Sequence, residues 1–133
     1  MTALVSGEID FSISSMSSTL PLVRGGRLRA LGVSSPERYP ALPDIPTIAE
    51  SGVPGYDASA WQGLFAPRQL PAALLARLHK EVADIAKMPE IGKRLSNEGL
   101  LPQGTSPSEF EKFIAKEIAK WAKVTKAAGI TAQ

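Results

Sequence analysis

The sequence contains no cysteine, and only one of its 133 residues is a histidine. The lack of cysteine excludes disulfide bonds, thiolate metal sites and cysteine nucleophiles. The acidic residues are scattered singly and show no EF-hand spacing. We therefore expect no metal and no other cofactor. A chain without cysteine fits the cytosol as well as a disulfide-free envelope protein, so this absence does not assign a compartment.

A large charge excess is also missing, because 15 basic residues face 13 acidic ones and the formal net charge is +2. This excess is too small to predict binding to nucleic acid. No apolar run approaches the roughly 20 residues that span a bilayer. The first ten residues lack a basic stretch followed by an apolar one, so no signal peptide is predicted here. The length and the 44% hydrophobic content are typical of one globular domain.

Three short apolar segments predict β-strands. Ile9–Ile13 alternates apolar and polar residues, Leu28–Ser35 has the composition of a strand buried on both faces, and Ala58–Ala66 ends before Pro67. Helical patterns precede, separate and follow these segments. The alternation predicts an α/β protein with a mainly parallel sheet flanked by helices.

Helix signals are clearest in the last third of the chain. Ser106 and Glu109 have capping-box spacing and predict a long helix that ends at Gly129, and Thr47 and Glu50 show the same spacing for one short helix. Further helices are predicted before Gly7, over residues 20–24, over 71–87 and over 89–98. Two apolar helix faces are predicted to be buried: Leu74, Leu75, Leu78, Val82 and Ile85 on one helix, and Phe110, Phe113, Ile114, Ile118, Trp121 and Val124 on another.

A cluster of hydroxyl residues follows the first predicted strand, where six of the eight residues from Ser12 to Thr19 are Ser or Thr. The cluster lies between the carboxyl end of a strand and the start of a helix, which is where open α/β sheets bind ligands. Unpaired N–H groups at a helix start attract anions, and hydroxyls add neutral donors. Ser and Thr are equally good cap and turn residues. The cluster alone leaves both interpretations open.

Three other features favour ordinary structural roles. His79 lies beside the apolar face of its helix, with no nucleophile motif near it in sequence. The stretch "RGGRLR" (24–29) follows a short helix and precedes no G-K-[ST], so it indicates a helix end rather than a phosphate loop. The basic stripe of the last predicted helix is typical of a solvated face; it comprises Lys112, Lys116, Lys120 and Lys123.

Several blocks of the sequence together carry a family resemblance. They are "SGEIDF", "GGRLRALGVSSPERYPALPDIPTIAESGVPGY", "WQGLFAP" and "SPSEFEKFIAKEIAKWAKVTKAAGI". The chain resembles the substrate receptors of tripartite tricarboxylate transporters, also called the Bug family, over nearly its whole length. The block "LPDIPTIAESG" is the most specific. One departure is "RQLP" (68–71), where the family usually has Gly and then Thr before Pro. We therefore expect a weaker helix start and an altered turn at Gln69.

The resemblance implies a two-lobed periplasmic binding protein of type II, about twice this length, that is not an enzyme. It implies that this chain is the carboxyl-terminal half. Residues 1–57 would then finish the second ligand-binding lobe, and 58–133 would supply a crossover strand and the carboxyl-terminal part of the first lobe. The implied partners are a small carboxylate ligand and the membrane permease, and the implied location is the periplasm. The hydroxyl cluster would face the ligand cleft, so the candidate ligand contacts are Ser14, Ser15, Ser17 and Ser18, with Ser34 and Ser35 as weaker ones.

Two further hypotheses remain, the first from the partial fold that the resemblance implies and the second from the residues. Half of a two-lobed fold leaves sheet edges and apolar helix faces uncovered, so the chain could be a self-associating structural or interaction unit that binds no ligand. A hydrolase that uses a cluster serine with His79 is the least favoured hypothesis, because neither an oxyanion motif nor an orienting residue is evident.

Overall fold

The computed structural model describes residues 1–130, and this part of the chain contains five helices. They are α1 (Thr2–Ser6), α2 (Met16–Arg24), α3 (Ala72–Ala86), α4 (Pro89–Asn97) and α5 (Pro107–Ala127). All five coincide with predicted helices, although α2 begins four residues earlier than residue 20. Three of them end in the Schellman pattern, in which the two residues after the cap donate back to the last turn. After α2, Gly26 N–H donates to Val23 O (3.0 Å) and Arg27 N–H to Leu22 O (2.9 Å).

The predicted parallel sheet is not formed within residues 1–130. These residues contain a single isolated parallel bridge, between Val33 and Thr47, and no strand. Parallel strands need neighbours that supply a continuous ladder of hydrogen bonds. The three predicted strands do not supply this ladder to one another, so their apolar side chains remain in solvent. Phe11 and Ile13 are 75% and 79% exposed, and Leu31 and Leu64 are similarly exposed.

The chain divides into two compact units. One unit comprises Met1–Pro67 and Met88–Pro102, which includes α1, α2 and α4. The other comprises Arg68–Lys87 and the chain from Gln103 onward, which includes α3 and α5. The lobe boundary predicted between residues 57 and 58 refers to a longer two-lobed protein and stays a prediction. The last three residues of the predicted second segment lie outside the described residues.

In the first unit, a small core forms around α2 and the proline-rich loop. Leu20 of α2 is almost fully buried, and Val33, Tyr39 and Thr47 are also buried. The Tyr39 hydroxyl donates to the carbonyl of Ser96 at a distance of 2.9 Å, which ties the loop to the end of α4. The loop over residues 36–57, which contains five prolines, is therefore irregular in secondary structure but held by the buried Tyr39 side chain.

In the second unit, α5 carries a buried carboxylate. Glu117 is only 8% exposed; its Oε2 accepts a hydrogen bond from Trp121 Nε1 at 3.0 Å, and its Oε1 pairs with Lys120 Nζ. The Lys120 ammonium also lies 5.5 Å from the centre of the Trp121 ring, in a cation–π arrangement. The prediction that Lys120 belongs to a simple solvated face is therefore wrong, since its charge is held against Glu117 and Trp121.

The two apolar helix faces are less buried than predicted. The five apolar residues of the α3 face are between 39% and 46% exposed, and Phe113, Ile118, Trp121 and Val124 of α5 are 38% to 65% exposed. A helix pair covers only the inward part of each apolar stripe, so a third layer is needed to bury the rest. The segment before α5 passes close to α3, where a Cβ on Gly104 would lie 3.6 Å from Ala83 Cα.

The segment before α3 begins its helix without a side-chain cap, and the expected weakening of this helix start stays a prediction. The cap position of α3 is Pro71, and no side chain accepts a hydrogen bond from the first turn. The turn at Arg68–Gln69 is present, and no residue other than glycine has a positive φ within residues 1–130. Gln69 therefore occupies its turn in a conformation that any residue can adopt.

Candidate functional site

The hydroxyl cluster lies at the start of α2 and is held together by its own hydrogen bonds. Ser15 is the N-cap; its hydroxyl pairs with those of Ser17 and Ser18, each at 3.2 Å. The Ser15 carbonyl accepts from the Ser18 hydroxyl at 2.9 Å and from the Thr19 hydroxyl at 3.1 Å. The cap serine therefore serves as the centre of a hydroxyl network, which explains why three predicted contact residues lie together.

The same network leaves the helix start open to a ligand. No side chain accepts a hydrogen bond from the first turn of α2, although Ser15 is a residue type that usually does so. The first N–H groups of a helix usually have no partner within the helix and carry a positive partial charge. In α2 the Ser18 N–H donates to Ser15 O at 3.2 Å, which leaves the N–H groups of Met16 and Ser17 for a ligand. The first turn contains no acidic residue that would compensate this charge. A carboxylate placed here would meet N–H and hydroxyl donors without a competing anion.

Ser14 lies at the edge of this network. Its hydroxyl pairs with that of Ser12 at 2.7 Å, and both residues are exposed. Ser34 and Ser35 have other roles. The Ser34 carbonyl accepts from Ala58 N–H at 3.0 Å, and the Ser35 hydroxyl donates to the Glu37 carbonyl at 2.7 Å. The structure thus groups Ser15, Ser17 and Ser18 and places Ser14 beside them, whereas Ser34 contacts Ala58 through its carbonyl and Ser35 makes a local turn contact.

One long-range contact fixes the position of the cluster, and no sequence pattern predicts it. Gly99, in the cap of α4, packs against Met16, the first residue of α2. A Cβ on Gly99 would lie 2.3 Å from Met16 Cβ, which is not physically possible without movement. Gly99 also has φ of 79°, in the left-handed region that other residues rarely adopt. Glycine at 99 therefore lets the end of α4 approach the residue that follows the cap serine.

The cluster lines neither of two cavities that lie in the described residues of the first unit. The larger, an open depression of about 550 Å³, is lined by Val23, Leu28, Arg29, Ala30, Leu31, Asp44, Ile45 and Pro46. The smaller, of about 190 Å³, is lined by Met1, Thr2, Val5, Leu22 and Arg27. Ser14, Ser15, Ser17 and Ser18 are exposed on the surface. In this structure the candidate contacts form a surface and not an enclosed pocket.

Other chemistry finds little support in the described residues. No group of three or more His, Asp or Glu side chains among residues 1–130 is arranged to hold a metal ion. His79 lies on α3, as predicted, and is half-buried there rather than on the open helix surface. The "RGGRLR" stretch forms the helix end described above, which confirms that prediction. None of the helices within these residues is both long and apolar enough to cross a membrane.

Comparison with known proteins assigns the family. Residues 1–130 match the model of the tripartite tricarboxylate transporter family receptor. The chain belongs to this family. A relative from Pseudomonas sp. strain P51, the UPF0065 protein of the tcbD–tcbE intergenic region, is 35% identical over 91% of this chain and 36% of its own length. Protein BugT of Bordetella pertussis is 30% identical over 95% of this chain and 39% of its own length.

Solved structures of the receptor family resemble the chain in fold as well. R. palustris Rpa4515 with adipate has a TM-score of 0.82 at 35% identity, over 96% of this chain and 43% of that one. MatC of Rhodopseudomonas palustris with bound malate has a TM-score of 0.76 at 33% identity, over 92% and 43%. The chain thus spans about two fifths of these receptors and has the fold type of the matching part. The family and these neighbours are substrate-binding receptors, not enzymes, so the hydrolase hypothesis is not supported.

Proposed function

We propose that this chain forms part of a periplasmic receptor that captures a small carboxylated solute and presents it to the membrane permease of a tripartite tricarboxylate-type transporter. The observation that carries the proposal is the similarity, over nearly the whole chain, to receptors solved with adipate and with malate. Both ligands are dicarboxylates, so the shared chemistry is recognition of a carboxylate group. The transporter and the location come from the family to which the chain belongs.

The carboxylate contact that we propose is the start of α2. Ser15, Ser17 and Ser18 present hydroxyls beside N–H groups that no side chain caps. Neutral donors and a helix N-terminus orient an anion without a fixed countercharge. Ser14 extends this surface, and Ser34 and Ser35 are secondary candidates. Ordered waters and backbone N–H groups would complete the binding shell.

The proposal includes a specific place for the chain in a two-lobed protein. Residues 1–57 would belong to the second lobe, and residues 58–133 would supply a crossover strand and the carboxyl-terminal part of the first. The three predicted strands would join a parallel sheet once the rest of a receptor supplies neighbouring strands. Support comes from the exposed apolar side chains of these segments and from the two-fifths share of the solved receptors.

The test is a calorimetric titration of the complete gene product with adipate and with malate, and with adipamide as an uncharged control. We expect binding of at least one dicarboxylate and none of adipamide. The triple substitution of Ser15, Ser17 and Ser18 by Ala should weaken this binding, whereas Ser108→Ala, an exposed serine of α5, should not. If no carboxylate in a broad panel binds or raises the melting temperature, the receptor proposal is wrong.

A second candidate function is that of a self-associating unit. The observation that favours it is the exposure of large apolar side chains in both units, including Phe11, Ile13 and Leu31. Contiguous exposed apolar surface and unpaired backbone promote association. Light scattering tests it: a concentration-dependent increase in mass supports this function, and a monomer with a cooperative unfolding transition contradicts it.

A further inference from the structure

The hydroxyl cluster at the start of α2 is joined internally, but its side-chain hydrogen bonds do not attach it to the rest of the first unit. Among residues 1–130, the side-chain hydrogen bonds of residues 12–19 all join residues at most four positions apart. Met16 is the only one of residues 11–18 that is not exposed. The packing of Met16, together with that of the buried Leu20 one turn later, therefore determines where the start of α2 lies.

Met16 packs against the turn that ends α4. A Cβ at Gly99 would lie 2.3 Å from Met16 Cβ, 2.9 Å from its Cγ and 3.2 Å from its Sδ. The two Cβ atoms would have to move apart by at least about 0.7 Å to reach even 3.0 Å, which is still closer than such atoms normally approach. A change of rotamer cannot supply this movement, because Cβ is fixed to the backbone. A side chain at position 99 therefore requires a backbone shift.

The turn after α4 is fixed to the core of the first unit. The Ser96 carbonyl accepts from Gly99 N–H at 3.1 Å and from the Tyr39 hydroxyl at 2.9 Å. Tyr39 is only 5% exposed, so this attachment reaches a buried side chain. The serines at the start of α2 are exposed and form only local hydrogen bonds. When the contact at Gly99 becomes too short, the start of α2 should therefore move and the turn should stay in place.

A backbone shift at Met16 acts on the groups that we propose for carboxylate binding. Met16 lies between Ser15 and Ser17 in the chain, and its own N–H group is one of those that the first turn leaves for a ligand. Binding groups must be held within about 0.5 Å of their productive positions. The shift that a side chain at position 99 requires is larger than this tolerance. Affinity for the ligand should therefore depend on the absence of a side chain there.

We propose that Gly99 is a positioning residue for the carboxylate site. Because it has no side chain, Met16 can pack against the end of α4, and this contact sets the position of the serine hydroxyls and N–H groups that bind the solute. Gly99 acts through Met16 and does not itself contact the ligand. The inference rests on the proposed receptor function, because it assigns to Gly99 a role in carboxylate binding.

The test compares two glycine variants of the complete gene product by calorimetric titration with adipate and with malate. Gly7 ends α1 with φ of 80°, close to the 79° of Gly99, and a Cβ there would meet nothing within 4 Å. Gly7→Ala therefore has the same backbone strain without the contact. We expect Gly99→Ala to weaken binding at least about tenfold and Gly7→Ala to change it less than about twofold. Met16→Gly removes the opposing Cβ, so the double variant with Gly99→Ala should bind within about threefold of Met16→Gly alone.

A second measurement reports the position of the cluster without a ligand. The amide NMR signals of Ser15, Ser17 and Ser18 should shift in Gly99→Ala and stay unchanged in Gly7→Ala. Circular dichroism verifies that each variant keeps its helices.

A variant that acts more mildly covers the case in which Gly99→Ala does not fold. Tyr39→Phe removes the hydroxyl that holds the turn after α4 and introduces no new contact. We expect it to weaken dicarboxylate binding about two- to fivefold, and unchanged affinity would then overturn the inference.

The outcomes separate this inference from the receptor proposal. Equal affinities of Gly99→Ala and Gly7→Ala would overturn the inference and leave the receptor proposal standing. A double variant that binds no better than Gly99→Ala would do the same, because strain and not the contact with Met16 would then be the cause. A parent protein that binds no carboxylate would overturn the receptor proposal, and the inference with it.

Discussion

Two segments of this chain contain the same capping box, and only one of them begins a helix. At Ser106 the N–H donates to Glu109 Oε2 (2.9 Å), and Glu109 N–H donates back to Ser106 Oγ (3.3 Å). At Thr47 the N–H donates to Glu50 Oε2 (2.8 Å), and Glu50 N–H donates back to Thr47 Oγ1 (3.0 Å). The first box opens the 21 residues of α5, and the second closes a turn.

A capping box satisfies backbone groups at a helix start but does not by itself propagate a helix. The residues of α5 that follow Glu109 include neither Gly nor Pro, whereas Gly52 and Pro54 closely follow Glu50. Gly52 adopts φ of 117°, which no helix contains, and Pro54 restricts the residue before it. The prediction of a short helix from Thr47 was wrong for this reason. The hydrogen bonds between Thr47 and Glu50 instead close a turn directly after the bridge between Val33 and Thr47.

The largest expected effect comes from removing the buried hydroxyl of the Thr47 box. Thr47 is 1% exposed, so in Thr47→Val water cannot replace the lost hydroxyl, and Glu50 N–H loses its acceptor. We expect a decrease of about 1–3 kcal/mol in the free energy of unfolding, measured with urea. Thr125→Val, which removes an exposed hydroxyl in α5, is the matched control and should change it by less than about 0.5 kcal/mol. Equal effects of the two substitutions would show that burial at Thr47 does not matter.

Breaking the exposed box should cost less. Ser106→Ala removes the acceptor for Glu109 N–H, and we expect a loss of about 1 kcal/mol because solvent partly replaces it. Ser106→Thr keeps the hydroxyl and should retain most of the stability. Hydrogen exchange in the first turn of α5 reports the effect locally. If Ser106→Ala lowers the free energy of unfolding more than Thr47→Val does, the expectation that the buried hydroxyl contributes more is wrong.

The helices could be predicted from the sequence because their signals are local. Caps, apolar periodicity and terminal glycines lie within a few residues of one another, and all five helices form where these signals occur. The strands could not be predicted with the same success, since a strand depends on a neighbour that the sequence pattern does not name. Ile9–Ile13 has a clear alternation but no ladder within residues 1–130. The apolar faces of α3 and α5 are exposed for the same reason. Apolar periodicity predicts which face of a helix is apolar, but it does not predict which element packs against that face.

In the candidate site too, local contacts could be predicted from the sequence and long-range contacts could not. The serines at 15, 17 and 18 meet because they flank one helix start, and sequence spacing was enough to group them. Ser34 and Ser35 were added because they end the next predicted strand. The Ser34 carbonyl instead accepts from Ala58 N–H, and the Ser35 hydroxyl donates to the nearby Glu37 carbonyl. The packing of Gly99 on Met16 joins residues 83 positions apart in sequence, so no local pattern could reveal it.

Low pH should weaken both capping boxes, because it protonates Glu50 and Glu109. Replacing each Glu by Gln should show how much each box contributes to the pH dependence of stability. The hydrogen bond from Thr47 N–H, with a second from Arg38, lowers the pKa of Glu50 below its ordinary value of 4.5. The Ser106 hydroxyl and N–H lower the pKa of Glu109 in the same way. A carboxyl group whose pKa is lower in the folded protein than in the unfolded chain stabilises the folded protein at pH values above its unfolded pKa. This stabilisation is lost as the pH falls through the folded pKa. We expect Glu50→Gln and Glu109→Gln each to flatten the stability profile below about pH 4.5.

The serine and threonine variants make this pH test specific. Thr47→Val keeps the N–H group that lowers the pKa of Glu50 most, so its profile should retain the slope from Glu50. Ser106→Ala removes the hydroxyl that lowers the pKa of Glu109 most, so its profile should be flatter. Urea unfolding at a series of pH values measures both. Parallel profiles for all four variants would contradict the assignment of the acid sensitivity to these two boxes.

The smallest expected effect comes from removing Arg38, which forms an ion pair with Glu50 of the Thr47 box. Arg38 Nε lies 2.9 Å from Glu50 Oε2, and both side chains are 47% exposed. Solvent screens an ion pair this exposed, so Arg38→Met should destabilise the chain less than Ser106→Ala, and the difference should shrink further in high salt. Arg38→Lys keeps the charge but loses the guanidinium group, which also donates to Pro43 O. The free energy of unfolding of this variant should lie between those of the parent chain and of Arg38→Met. A loss from Arg38→Met that salt leaves unchanged would mean that Arg38 acts through packing of the turn rather than through the charge of Glu50.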